Sequence, residues 1–398
     1  MRDKDKSIFQ RLMFALIINL AFGALIGCVG TKSPPVKQPL WQLSFPEPYI
    51  YGDERDMVTS DGILFCLTHA SYPEHEGTLY AIEGKSGIIL WKRSMQMDAI
   101  ASHYNKHRLI AASDGFVYYK SKSGELCALD AHTGDERWCY SNFSRLLSIW
   151  NSEAHIFDNN KKYIVLDAKT GTIQATNGIT DDSWTRLVIA DGRRYLFNNK
   201  HLTVTDIQTG IQLWSYKPED YVNLKMSAVA GLLYLSDESN SIIAFEGSNG
   251  RVLWQRYHLG TPLIIDSHIA YAGSRTNEGY IVVLLDPMTG AEIGTVMASS
   301  GIGGEPIVNE GILYSFTFIW DSSRDAQAKY NQSSSGTYSL VAKNTTNRNT
   351  LWTTKPISGE YVTRPLIADG FVYLGVGNVD WNNSASLFAY GLTSSSPQ

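Results

Sequence analysis

The sequence predicts an all-β fold: an eight-bladed β-propeller of four-stranded antiparallel blades, closed by an N-terminal strand that completes the last blade. Three observations predict it. A unit of about 40 residues recurs along the chain, a hairpin signal recurs inside that unit, and residues 40–45 match the strand that the last unit lacks.

The recurring unit is a β-branched and aromatic strand, an acidic or amide residue, a Ser/Thr-Gly turn, and a strand with Trp four residues after the Gly. Residues 79–83 lead to Ser86-Gly87 and Trp91, and residues 126–130 to Thr133-Gly134 and Trp138. Asp167 with Thr170-Gly171, Asp206 with Thr209-Gly210 and Trp214, Glu246 with Gly250 and Trp254, and Asp286 with Thr289-Gly290 continue the series. Asn344 and Trp352 mark a seventh unit, with Arg348 where the Gly is expected.

Each unit also carries an earlier hairpin, seen at Asp61-Gly62, Asp114-Gly115, Asp191-Gly192, Glu310-Gly311 and Asp369-Gly370 between apolar runs. Gly accepts the positive φ such turns need. Two hairpins per unit make a four-stranded blade. Residues 387–391 match the third strand of a blade, and no Trp strand follows them. Leu40-Trp41 begins such a strand at the other end of the chain, and pairing it beside 387–390 completes an eighth blade and removes open edges.

Trp41, Trp91, Trp138, Trp214, Trp254 and Trp352 read as packing residues between blades. Ala81, Ala128, Ala244 and Ala342 leave room for the indoles. Ala175 and Gly294 occupy two of the Trp positions, so the third and sixth blades are expected to be held less tightly. The Asp and Thr of the turns are expected to hydrogen-bond local backbone.

Composition agrees with a large packed body. Of 398 residues, 43% are hydrophobic, 12% aromatic and only 18% charged, which excludes a disordered chain, a coiled coil and a collagen-like repeat. A net charge of −5 argues against nucleic-acid binding. Four Cys make neither a disulfide scaffold nor a zinc module.

Arg2, Lys4, Lys6 and Arg11 precede an apolar run over 12–27, too short for a comfortable membrane span and typical of a secretory signal. The run ends at Leu25-Ile26-Gly27-Cys28, which resembles the bacterial lipobox and implies palmitate-type acylation at Cys28. The alternative is a plain signal peptide or N-terminal anchor with an incidental Cys. The expected organisation is a signal peptide over 1–27, a lipidated tether over 28–39, the propeller over 40–392 and a tail over 393–398. Val29 stands where an Asp would signal inner-membrane retention, which favours the periplasmic side of the outer membrane.

The Ala-x-Asp-x-x-Thr-Gly-x-x-x-Trp units resemble the quinoprotein-type propeller family, with its pyrroloquinoline quinone (PQQ) repeats, over essentially the whole chain after the signal. One branch holds the quinone with a calcium ion and catalyses dehydrogenation, often over an adjacent Cys-Cys pair. Here Cys66, Cys127 and Cys139 are separated, and no loop offers an EF-hand-like ligand run. The other branch is the BamB family of outer-membrane assembly lipoproteins, which shares the lipobox, the blade count and the absence of an added domain. That resemblance implies a periplasmic scaffold binding the POTRA domains of BamA. The family's BamA-contacting loop carries a Leu-x-Leu-Arg-like stretch, which residues 181–187 do not match.

Catalytic signatures are absent: no Gly-x-Ser-x-Gly, no Walker-type phosphate loop and no His-Glu-x-x-His. The expectation is a protein without enzymatic activity, cofactor or metal. His69 and His75 with Glu74 and Glu76 could hold a metal, but their spacing fits no ligand template and a solvated loop is the stronger reading. Residues 301–304 are Gly-rich but precede a strand and read as a turn.

Two further expectations concern geometry. If the turn over 130–134 is a type I turn with a G1 bulge, Ala131 faces Asp135 and Cys127 faces Cys139, close enough for a disulfide; two small buried thiols are the alternative. Loops joining the second and third strands are short in blades 2 to 5 and long at 273–279, 319–336, 375–386 and 68–77, which are blades 6, 7, 8 and 1. These long loops carry Tyr72, Trp320, Tyr330 and Trp381, residue types suited to partner binding. The alternative is that their Ser- and Asn-rich tips are tolerated insertions.

Overall fold

The computed structural model describes residues 33–47, 49–50, 57–69, 76–96, 109–180, 185–218, 225–236, 241–257, 261–265, 270–276, 279–299, 306–320, 336–359, 361–377 and 384–392. Residues 1–35 and 36–398 form separate units, and the fold below is that of the second. Among the described residues there is no helix, and the strands form eight sheets of the β-propeller type, named blades 1 to 8 in chain order.

Each blade is built on four antiparallel strands, and blades 1, 7 and 8 carry short additional strands. Blade 2 is Leu109–Ser113, Phe116–Lys120, Leu126–Asp130 and Glu136–Tyr140, paired in that order. The first hairpin turns where Asp-Gly predicts: Asp61 and Gly62 have φ of 53° and 75°, and Asp114 and Gly115 have 52° and 78°. Positive φ at both central residues matches the strand twist. The Asp side chains reach across blades as well. Gly115 N donates to Asp61 Oδ2 at 2.9 Å, and Gly231 N to Asp191 Oδ2 at 2.6 Å.

Innermost strands meet their neighbours in sequence from blade 1 to blade 7, and Leu366–Ala368 of blade 8 meets Met57–Ser60 of blade 1. The strand Trp41–Phe45 pairs antiparallel with Ala385–Gly391, from Trp41 opposite Ala389 to Phe45 opposite Ala385. Phe45 then shares one core with Ile50, Met57, Leu64 and Tyr80 of blade 1 and with Tyr373 and Leu387 of blade 8. Burying such side chains contributes about 1.5–3 kcal/mol each.

The repeat Trp residues join successive blades in one way. Trp91 Nε1 donates to Ala131 O at 2.8 Å, the carbonyl just after the turn acid Asp130 of blade 2. Trp41 does the same to Gly84 O, Trp138 to Ala168 O, Trp214 to Gly247 O and Trp254 to Pro287 O, at 2.8–3.1 Å. The indole also lies on the turn glycine: a Cβ on Gly134 would sit 2.8 Å from the Trp91 ring. Ala81, Ala128, Ala244 and Ala342 are each the cross-strand neighbour of their own blade's Trp, as in Ala128 opposite Trp138, whereas Trp214 faces Val204.

Where the Trp is missing, the next turn changes with it. Ala175 replaces Trp in blade 3, and nothing lies within 4 Å of a Cβ on Gly210 in blade 4. Gly294 replaces Trp in blade 6, and Arg348 holds the blade 7 turn position at φ 63° with its guanidinium over Gly294, Nη2 3.1 Å from where a Cβ would be. The looser packing expected at blade 6 is therefore offset by an Arg, while the blade 3 gap stays open.

The turn in blade 2 differs in detail from the expected G1 arrangement. Asp130 N donates to Asp135 O, so Ala131 does not face Asp135. An irregularity between Ala128 and Leu129 then shifts the register by one, and Cys127 comes opposite Cys139. Their sulfurs form a disulfide between the third and outer strands of blade 2. Cys127 is buried and Cys139 exposed. Turn acids do bond local backbone: Asp130 Oδ1 accepts from His132 N and Thr133 N at 2.9 and 3.0 Å.

Val36–Lys37, within the stretch expected as tether, pairs parallel with Thr353–Thr354 and adds a strand to the outer edge of blade 7.

Candidate protein-binding surface

Hairpin length separates one group of blades from the rest. In blades 2 and 5 the second and third strands have five residues each. In blade 7 they have nine, Ile312–Trp320 and Gly336–Asn344, paired without a break from Ile312 opposite Asn344 to Trp320 opposite Gly336. Blade 8 pairs Phe371–Gly377 with Ala385–Gly391, and blade 1 pairs Ile63–His69 with Glu76–Glu83. The ends of the segments that read as loop in these blades are thus strand.

Blade 6 departs furthest from expectation. Residues 273–279 are not a long loop: Gly273 pairs with Val282 and Thr276 with Gly279. Backbone pairing can extend beyond a hairpin's apolar stretch, because the register is already set by the core residues below it. That segment's Gly, Ser, Arg, Thr and Asn composition concealed the strand.

Short extra strands brace the extensions. Ile357–Gly359 pairs with the start of Gly336–Asn344, Tyr361–Val362 with the end of Phe371–Gly377, and Tyr49–Ile50 with Thr68 and His69. Three consecutive blades, 7, 8 and 1, are built this way. In blade 7 the rings of Phe318 and Tyr338 meet at 4.7 Å, both buried, while Ile319 between them in sequence is 63% exposed. In blade 8 Thr363 N donates to Gly375 O at 2.8 Å and its Oγ1 accepts from Gly375 N at 2.9 Å.

Glu47 links blades 8 and 1. Its backbone carbonyl accepts from Ala385 N at 2.9 Å, and its carboxylate accepts from Thr78 Oγ1 at 2.7 Å and Tyr80 Oη at 3.2 Å. Burial first, then the Glu47 charge, pushes the Tyr80 hydroxyl up to about 12, so it stays a neutral donor. Glu47 and Ile319 were not legible as site residues, since neither belongs to the repeat. The one available signal was the position of Glu47 just after the strand that completes blade 8.

Of the residues expected to bind partners, Trp320 ends an extended strand opposite Gly336. Tyr72, Tyr330 and Trp381 lie outside the described residues, as do Cys28, Glu74 and His75. His69 and Glu76 are strand residues flanking the blade 1 hairpin. Among the described residues no helix is long and apolar enough to cross a membrane.

Sheets of four antiparallel strands, joined blade to blade by a Trp laid on a Gly turn, define a propeller of PQQ-type repeats, and this chain is BamB-like within that class. The model of the family described as outer membrane protein assembly factor BamB matches residues 75–262. The outer membrane protein assembly factor BamB of Yersinia pestis is 22% identical over 281 residues, covering 64% of this chain and 68% of that one. Among solved structures, the computationally designed Ika8 protein is 15% identical, with a TM-score of 0.58 over 86% of this chain and all of that one. Quinohemoprotein alcohol dehydrogenase from Comamonas testosteroni is 13% identical, with a TM-score of 0.57 over 91% and 77%. These two likenesses are of fold alone.

Proposed function

We propose that the chain is a non-enzymatic scaffold with a BamB-like part in outer-membrane β-barrel assembly, a closed ring of eight blades held at the periplasmic face of the outer membrane by a lipid on Cys28. Residues 1–27 act as the signal peptide and 28–39 carry the anchor. The observation that carries the reading is the run of braced, extended hairpins on blades 7, 8 and 1, continued by the blade 6 hairpin. Extended segments grouped on one side of a rigid scaffold are a usual way of presenting a binding surface. The partner is a protein domain of the POTRA type, and Tyr72, Trp320, Tyr330 and Trp381 are the residues proposed to meet it. The likeness to BamB from Yersinia pestis supports the assembly role.

The test replaces residues 321–335 with a short Gly-Ser turn and, separately, introduces Trp381→Ala. Both variants should fold and lose partner crosslinking in cells. Retained wild-type crosslinking in both would place the binding surface elsewhere. Cys28→Ala should release the protein from membranes.

A second reading is a quinone-dependent dehydrogenase, favoured by the fold likeness to quinohemoprotein alcohol dehydrogenase. The described cysteines do not fit that branch's cradle: Cys127 and Cys139 sit on facing strands rather than side by side in sequence, and Cys66 is buried in blade 1. Incubation with pyrroloquinoline quinone and calcium decides it, since a bound quinone would add visible absorbance.

A further inference from the structure

Blade 4 breaks the repeat on the face it turns towards blade 3. Across its second and third strands Arg194 stands opposite Thr205 and Leu196 opposite Thr203. The place of the Arg194 and Thr205 pair is taken by Leu64 and Ile82 in blade 1, Val117 and Leu129 in blade 2, and Leu233 and Phe245 in blade 5. All six are buried and pack against the preceding blade. A guanidinium and a hydroxyl in that place weaken the packing unless their polar groups are satisfied.

The same face opens into a cleft of about 470 Å³. It is lined by Ile179 from the outer strand of blade 3 and by Arg194, His201, Thr203, Thr205 and Lys217 of blade 4. Its Thr205 end adjoins the turn at Asp206, the turn that blade 3 leaves uncovered by carrying Ala175 instead of Trp. Neither Thr203 nor Thr205 makes a side-chain hydrogen bond among the described residues.

The charge is one-sided. Among the described residues no carboxylate pairs with Arg194, and its Nε is shut from solvent without an acceptor. The Tyr163 hydroxyl lies within hydrogen-bonding reach of Arg194, and His155 Nδ1 meets that hydroxyl at 2.7 Å. Glu153 lies 3.4 Å from His155 Nε2. None of the cleft's described lining side chains is acidic, in a chain of net charge −5. Asp181 and Asp182, next in sequence after the blade 3 strand, lie outside the described residues.

We propose that the cleft between blades 3 and 4 binds a small phosphorylated organic molecule, its phosphate held by Arg194 and Lys217 with the Thr203 and Thr205 hydroxyls as further donors. Arg offers paired N–H donors matched to a phosphate, and Lys adds a point charge. The volume falls in the ~300–1,000 Å³ range of small-molecule sites and exceeds what a bare ion fills. This site is separate from the docking surface proposed above and does not depend on it.

The test is calorimetric titration of the whole protein with glycerol 3-phosphate, inorganic phosphate and succinate. Glycerol 3-phosphate should bind most tightly of the three. Arg194→Gln and Lys217→Gln should each weaken it roughly tenfold or more, the scale of a lost charge-assisted contact. Thr203→Val puts an apolar residue where the other blades have one, so it should fold normally and weaken binding by several fold. Lys92→Gln, on blade 1, should change nothing. No heat from glycerol 3-phosphate up to about 10 mM, equal binding by all variants, or tighter binding of succinate would each overturn the proposal.

Discussion

The Lys37 ammonium lies over the Trp352 indole, 4.8 Å from the ring centre. Trp352 is the blade 7 member of the repeat series, yet its Nε1 has no hydrogen-bond partner, unlike the indoles of Trp41, Trp91, Trp138, Trp214 and Trp254. In place of a turn carbonyl it has a cation above it and the Tyr390 ring stacked beside it at 6.4 Å. Pairing of Val36–Lys37 with Thr353–Thr354 brings the cation there. Burial lowers the Lys37 pKa from its ordinary value. Lys37→Met keeps the apolar stem and removes the charge. It should lower stability by about 0.5–2 kcal/mol, read as a fall in urea midpoint against Lys92→Met as a control.

Glycine substitutions should separate backbone strain from inter-blade packing. Gly134 and Gly210 both have positive φ, 76° and 70°. A Cβ at Gly134 would press into the Trp91 ring, whereas one at Gly210 meets open space. Gly210→Ala should cost about 1 kcal/mol for the backbone alone. Gly134→Ala should add roughly 1–3 kcal/mol of overpacking. Equal losses in chemical denaturation would mean that the Trp91 contact contributes nothing.

The repeat was legible because its turns admit few residues. Asp61-Gly62 needs two positive φ angles, and a turn covered by an indole leaves room for nothing beyond Gly, so both leave marks at fixed spacing. Compensation between distant positions was not legible. That Arg348 lies over Gly294 follows from which blades are neighbours, and no local pattern announces it. The strand at Val36–Lys37 is too short for an alternating pattern, and the stretch from Gly273 to Thr276 has no apolar residue to mark it as strand. Arg194, Thr203 and Thr205 stand out only once the register aligns them with Leu233, Ile243 and Phe245 of the next blade.

The Cys127–Cys139 disulfide closes a short loop around the blade 2 turn. For about a dozen residues the chain-entropy estimate is roughly 3 kcal/mol. Cys127→Ser should therefore lower stability by up to about that amount under oxidising conditions and by much less with reductant present. Thiol labelling of the denatured, unreduced protein checks the bond itself. Labelling at Cys66 without Cys127 or Cys139 is expected, and adducts on all three would show the cysteines to be free.

Stability should fall on acidification in a window set by one buried imidazole. His155 is 2% exposed between blades 3 and 4, its Nδ1 on the Tyr163 hydroxyl at 2.7 Å. Burial, then the nearby Arg194 charge, pulls its pKa down to about 4. Glu153 Oε2 lies 3.4 Å from Nε2, but that nitrogen makes no hydrogen bond, so the carboxylate does not hold the proton on. The folded pKa is below the unfolded value of about 6.5, so the unfolded chain takes up the proton first. The neutral ring's contribution is complete above about pH 6.5 and is lost progressively towards pH 4, by an order of 3 kcal/mol in all. Asp130, held at about 2 chiefly by Arg137, loses its contribution only at lower pH, below its ordinary carboxylate range, which keeps the two effects apart. His155→Gln should lower stability at pH 7 and flatten the decline in urea midpoint between pH 6.5 and 4.5. A variant whose midpoint still falls as steeply as the wild type over that interval would assign the acid sensitivity to another group.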